Sequence, residues 1–504
     1  MHINRLFIAC IVSLVATSFG FIVRAILLNE WGVLFNLTET QKGAILGAGL
    51  FPFALSIILF SLIIDKVGYG RIMVVAWSLH VVSAVITMSA TSFVYLYIGT
   101  FLFALANGAV EAVINPATAT MFPRNKTHYL NILHAGWPGG LVLGGILAIS
   151  MSGLEGENVW RYKIGLFLIP TLIYGLMLLG QKWPVQERVA ARVSYLEMVQ
   201  EFGWGSCLIV AFFVAKALDE VTRNIFDFAL PTLLIGVLTI VPTLILIYTV
   251  KSFGRPMFIF LLLVMIFLAT TELGTDSWIA SLMTPVLRAL GENAGNWVLV
   301  YTSFIMFVLR FFAGPIVHKI NPLGLLASCA AIATVGLFWL SYSGSVALVV
   351  FLAATFYGVG KTYFWPTTLG VVSEQFPKGG ALTLNAIAGV GMIAVGVLGS
   401  PFLGVLQDKS IDDALNSRNP ELHAQLVLPK EQKFLLTYQA LDKQKVESLN
   451  QREKGIVEEV VALTNQGTLA RVAILPFIMF FCYLGLILYF RFKGGYKAVT
   501  LEVE

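Results

Sequence analysis

Stretches of about 20 apolar residues recur along this chain, the length a helix needs to cross ~30 Å of hydrocarbon. Six fall in the first half, at about 5–28, 41–64, 72–92, 94–120, 129–151 and 163–182. Six more fall in the second, at about 256–283, 296–317, 323–341, 346–372, 381–406 and 470–491. Only 12% of the residues are charged, about half the quarter usual in soluble domains. That is too few to cover the surface of a soluble enzyme or a nucleic-acid binder, and no Lys/Arg-rich run exists to hold nucleic acid. Cys10, Cys207, Cys329 and Cys482 sit singly in apolar runs, which argues against a disulfide framework or a CxxC metal site. No cofactor is expected. The first span ends in Arg24 without a small-residue cleavage site, so it reads as a retained helix.

Between the halves, Pro184 to Glu201 is polar and reads as a linker. A short apolar run, Gly205–Leu218, and a longer one, Ala229–Val250, follow. Two further crossings here give about fourteen and keep the orientation of the second half; one interfacial helix and one crossing would invert it. Loop charges favour the pair. With the N-terminus inside, short cytoplasmic segments hold fifteen Lys and Arg, from Arg5 to Lys497, and short external segments hold four, as the positive-inside rule requires. The expected organisation is a six-helix bundle over 1–183, a linker with two extra helices over 184–255, and a second six-helix bundle over 256–504. An external insertion at 407–470 carries charges of both signs and reads as one or two amphipathic helices. The expected location is the plasma (inner) membrane, with both termini cytoplasmic and the protein a monomer.

The halves repeat each other. Gly108 and Pro116 stand eight apart in the fourth span, with Glu111 and Asn115 between them; Gly358 and Pro366 stand eight apart in the matching span, with Lys361 and Trp365 between them. Each stretch leads to a similar turn, Phe122-Pro123-Arg124 and Phe376-Pro377-Lys378, and then to Leu130-Asn131 and Leu384-Asn385. Such repeats place a binding site near the midplane, between the halves.

With Asp65, Lys66, Gly68 and Arg71 between its second and third spans, the chain resembles the major facilitator superfamily. More narrowly it resembles the fucose–proton symporter-like family of sugar transporters. The likeness rests on Glu111-x-x-x-Asn115-Pro116, Glu272-Leu-Gly274 with Ser277-Trp278, Arg310-Phe311 with Gly314, and Trp365-Pro366-Thr367. It implies an all-α membrane fold of two six-helix bundles related by a pseudo-two-fold repeat. It also implies a cytoplasmic charge lock at Asp65, Lys66 and Arg71, and a sugar-binding acid at Glu272. Ser61 replaces a usual glycine, and His318 stands where an acid is common. The first-helix acid of that family, which would serve proton coupling with Glu111, aligns with Ala25, beside Arg24.

Six ionisable residues fall inside core spans: Arg24, Glu111, Glu272, Asp276, Arg310 and Lys361. Each costs roughly 2.5–3.5 kcal/mol at mid-membrane when unpaired, so they must pair, face water or sit near an interface. Helical rise places Asp276 at the outer mouth, Glu272 one turn deeper, and Arg310 in the inner half, near the cytoplasmic gate. Asn107, Glu111 and Asn115 share one helix face. A carboxyl on that stripe can exchange a proton with the cavity and couple it to transport, or be held as a structural tie. Lys361 either neutralises Glu111 or holds a substrate anion. Arg24 either partners an acid or binds substrate oxygens. Asn131, His134 and Trp137 recur every three residues; His134 either relays protons or bonds a neighbour. Trp137, Trp278 and Trp365 offer flat faces to a pyranose ring or pack at interfaces. The expected function is secondary active transport of a small polar solute, a sugar or sugar derivative, coupled to protons or sodium. An antiporter or exporter of an anionic or amphipathic compound is the alternative, and a membrane-embedded enzyme or receptor comes last.

Overall fold

A computed structural model describes residues 5–37, 39–151, 154, 156, 158–226, 228–291, 294–433 and 436–501. Among them, thirteen helices are long and apolar enough to cross a membrane, and Ala294–Arg310 is a shorter apolar helix. In chain order they are spans 1 (Arg5–Leu28), 2 (Ala44–Val67), 3 (Tyr69–Met88), 4 (Phe93–Met121), 5 (Lys126–Ser150) and 6 (Val159–Leu178). Spans 7 (Tyr195–Arg223) and 8 (Thr232–Thr249) come next. Spans 9 (Pro256–Ala280), 10 (Ala294–Arg310), 11 (Ala313–Ser341), 12 (Ala347–Gln375), 13 (Pro377–Arg418) and 14 (Gln451–Phe492) complete the chain. The set is consistent with fourteen crossings.

Breaks fall where backbone chemistry forces them. Gly68, at φ 89°, turns the chain between spans 2 and 3. Asn321, at φ 55°, precedes Pro322 and interrupts span 11, because proline disfavours a helical residue before it.

Spans 4 and 3, 1 and 5, and 11 and 12 pack closely within their halves. Across the halves, span 2 meets span 13, and span 5 meets spans 10 and 12. Small residues permit these approaches. A Cβ on Gly336 would collide with the backbone of Tyr357 where spans 11 and 12 cross. Gly336→Val is expected to lower stability by about 1–3 kcal/mol through overpacking, read as a lower melting temperature in detergent.

The central pair is rooted by two glycines in contact, Gly203 (φ 68°) and Gly254 (φ 92°). Gly203 kinks the helix that carries span 7. Around the kink Trp204 N–H donates to Ser252 O (3.0 Å), and Arg255 pairs with Glu201 (2.9 Å). Span 7 packs on span 13, while span 8 leaves most of its surface exposed.

Both described chain ends lie on one face, the terminal face. Phe7 meets Phe122 edge-on (4.9 Å), and Val499 N–H donates to Glu374 O (2.8 Å). The 407–470 insertion lies on the opposite face, where Arg288 pairs with Glu458 (2.7 Å) and Gln466 donates to Gly344 O (2.8 Å). Its structure departs from expectation in two ways. Span 13 stays helical to Arg418 instead of ending near 406, and a small antiparallel sheet, Glu431–Lys433 with Leu436–Tyr438, interrupts the all-α pattern. The returning helix, Gln451–Val472, packs on span 13, and Leu415, Leu422, Leu426, Val457 and Val460 form one buried cluster there.

Candidate functional site

Two buried ion pairs stand in the second half. Span 9 widens to a π-turn at Thr270–Gly274, which aims Glu272 inward; such turns often mark functional positions. Arg310 donates to Glu272 at 3.0 Å, and both side chains are almost wholly buried. Glu272 also accepts from the N–H of Trp365 (3.2 Å), freed where span 12 breaks between Lys361 and Phe364. The second pair joins Lys361 to Asp276, with Thr302 Oγ1 3.2 Å from the ammonium and the Tyr357 ring beside it.

This corrects one expected partner. Lys361 pairs with Asp276 and not with Glu111. Arg310 is buried in the core, as its place in a span implies.

In the first half, Glu111 accepts a hydrogen bond from Asn115 (3.3 Å), and Asn115 Oδ1 meets His134 Nε2 (2.9 Å). Among the described residues, no Lys or Arg forms an ion pair with Glu111. One turn away Asn107 bonds His80 (2.9 Å), whose other ring nitrogen meets Tyr174 (2.8 Å). Arg24 stacks over Phe103 (4.0 Å) and donates to Gly20 O, Ser83 and Thr87 at 3.2–3.5 Å. It too has no carboxylate partner among the described residues. His80 and Tyr174 had no assigned role in the sequence; a lone His in an apolar span was the only signal.

The halves meet through Arg310, which donates to the carbonyl of His134 (2.5 Å) as well as to Thr362 O (2.8 Å). Nearer the terminal face, Asn131 donates to Thr367 (3.2 Å), and Asn385 donates to Ala112 O (3.0 Å). Trp137 is half-buried against Phe21, and Trp365 is buried beside Gly391.

At the terminal face the seam is bridged by polar groups. Lys126 reaches Glu187 (2.6 Å) and Ser373 O (3.1 Å). Glu374 accepts from Thr127 N–H (3.2 Å), Thr127 Oγ1 (2.5 Å) and Tyr496 OH (2.8 Å). Asp65, Lys66 and Arg71 are not brought together. Asp65 pairs with Arg188 of the linker, Lys66 lies over the Tyr195 ring, and Arg71 is exposed. The linker thus supplies the cation that the expected lock drew from within the loop. Glu374→Gln should weaken a charge-assisted clasp by about 1–2 kcal/mol. Cysteine labelling along the seam would then rise on the terminal face.

A family model described as Major Facilitator Superfamily matches residues 6–391. The chain belongs to the Major Facilitator Superfamily. Members of this superfamily are membrane transporters of small molecules rather than enzymes. No curated protein matches the chain by sequence. Among solved structures, it is similar to the E. coli fucose:proton symporter FucP, at TM-score 0.57 and 13% identity over 94% of this chain and 98% of that one. It is similar to the E. coli proton:xylose symporter XylE, at TM-score 0.63 and 14% identity over 99% and 97%. It is also similar to the human organic anion transporter MFSD10, at TM-score 0.59 and 12% identity over 95% and 99%. At these identities the likeness establishes the major facilitator fold.

Proposed function

We propose that the protein moves a small polar solute, a sugar or sugar derivative, by alternating access, with proton symport through Glu111. The observation that carries this is Glu111 itself: a buried carboxyl bonded to an amide, with no cation paired to it among the described residues. The other two core carboxyls each have their own Lys or Arg. A carboxyl so placed gains or loses a proton without breaking an ion pair. Structural similarity to two sugar–proton symporters supports the substrate class. Glu272, Asn107, Asn115, Asn131 and Trp365 would offer donors, acceptors and a flat face to sugar hydroxyls and ring. Asp65 and Arg188 would act at the gate, with both termini cytoplasmic.

A second reading is favoured by Arg24, a buried guanidinium without a carboxylate partner among the described residues. It suits a substrate that brings its own negative charge, and one structural neighbour is an organic anion transporter. Uptake into proteoliposomes under an imposed proton gradient, with labelled sugars and organic anions side by side, tests both. Gradient-driven sugar accumulation is the expected result. Gradient-insensitive uptake removes symport, and uptake of anions alone selects the second reading.

A further inference from the structure

The contacts of His134 deepen the coupling role proposed for Glu111, and their significance rests on that role. An ionised carboxylate only accepts hydrogen bonds. Asn115 must therefore turn its N–H₂ to Glu111, which leaves its carbonyl for His134, whose Nε2 must then carry the proton. The backbone carbonyl of the same residue holds Arg310 from the other half. His134 ends the helical stretch Lys126–His134, just before the chain restarts at Gly136. An unbroken run of contacts thus joins Glu111, Asn115, His134, Arg310 and Glu272 across the seam.

We infer that His134 is a positioning residue that links the protonation state of Glu111 to the Arg310 hydrogen bond between the halves. Once Glu111 carries a proton, its hydroxyl is a donor and seeks the Asn115 carbonyl. The amide turns, and the Nε2–H of His134 loses its acceptor. The helix end that presents the His134 carbonyl is then free to shift, and Arg310 loses its hold on the first half. The proton stays on Glu111 throughout. The charged or titratable groups around this run are Arg310 and Glu272 beyond His134, with Asp276 and Lys361 next to them, and His80, which bonds Asn107 one turn from Glu111 and lies near Arg24.

The test needs no substrate. Spin labels at Arg124→Cys and Lys378→Cys, both exposed on the terminal face, report the opening of the seam by pulsed electron resonance. The background carries Cys207→Ser and Cys482→Ser, and the probe is pH alone, from 5 to 9, in nanodiscs. The wild-type background should show a pH-dependent shift between two distances, and Glu111→Gln should abolish it. His134→Ala and Asn115→Ala should abolish it equally although Glu111 is intact, while His134→Gln, which keeps a donor, should retain it. If His134→Ala does not fold, Asn115→Ala decides. A wild-type pH midpoint in either alanine variant overturns the link while leaving the coupling role of Glu111 standing. No pH shift in the wild-type background also overturns the link, while the coupling role of Glu111 is decided separately by gradient-driven uptake.

Discussion

Replacing Arg310 with methionine is expected to destabilise the protein more than any other single change in its core. The guanidinium makes three bonds at once, to Glu272, to Thr362 O and to His134 O, at 1% exposure. Its removal leaves the Glu272 carboxylate buried without a cation, and breaking one side of such a pair costs about 3–5 kcal/mol. A typical net stability is only ~5–15 kcal/mol. The yield of monodisperse protein and its melting temperature should both fall steeply. Arg310→Lys should rescue little, because a single ammonium cannot reach three separated acceptors. Arg310→Met with Glu272→Gln should be milder than Arg310→Met alone, since no bare charge remains. A double variant as unstable as the single one would show that the carbonyl contacts, not the ion pair, hold this region.

Glu111→Gln is expected to reduce proton-driven accumulation to simple equilibration while substrate exchange continues. Glutamine keeps the size of the side chain and an oxygen for Asn115, so folding should be preserved. It cannot take up or release the proton. Counterflow and gradient-driven uptake measured on one preparation separate the two functions. Full accumulation in this variant would remove Glu111 from the coupling step.

The spans and the repeat were legible because hydrocarbon imposes one length and one polarity on every crossing. The chemistry was legible only as far as residue type. Glu111, Asn115 and His134 could be placed on helix faces, and the structure joins them. The partners of the buried cations could not be read. Lys361 meets Asp276, and Arg310 meets Glu272, beside a π-turn and a helix break that leave no reliable mark in a 3.6-residue pattern. Arg188 was hidden for a different reason. It lies in a polar linker where any cation looks solvated, and its partner Asp65 is far away in sequence. Tyr496 near the described C-terminal end gave no sign that it would reach Glu374.

The helices of the insertion have a mechanical consequence. Spans 13 and 14 each run for 42 residues, roughly 60 Å at 1.5 Å per residue, about twice the ~30 Å hydrocarbon layer. Their outer parts, Ser400–Arg418 and Gln451–Val472, pack on each other and belong to the second half. A small tilt of that half inside the bilayer becomes a much larger sweep at the outer tip of this pair. A fluorophore or a conformation-selective antibody fragment placed there would report the transport cycle from outside the membrane, far from any residue that handles the solute.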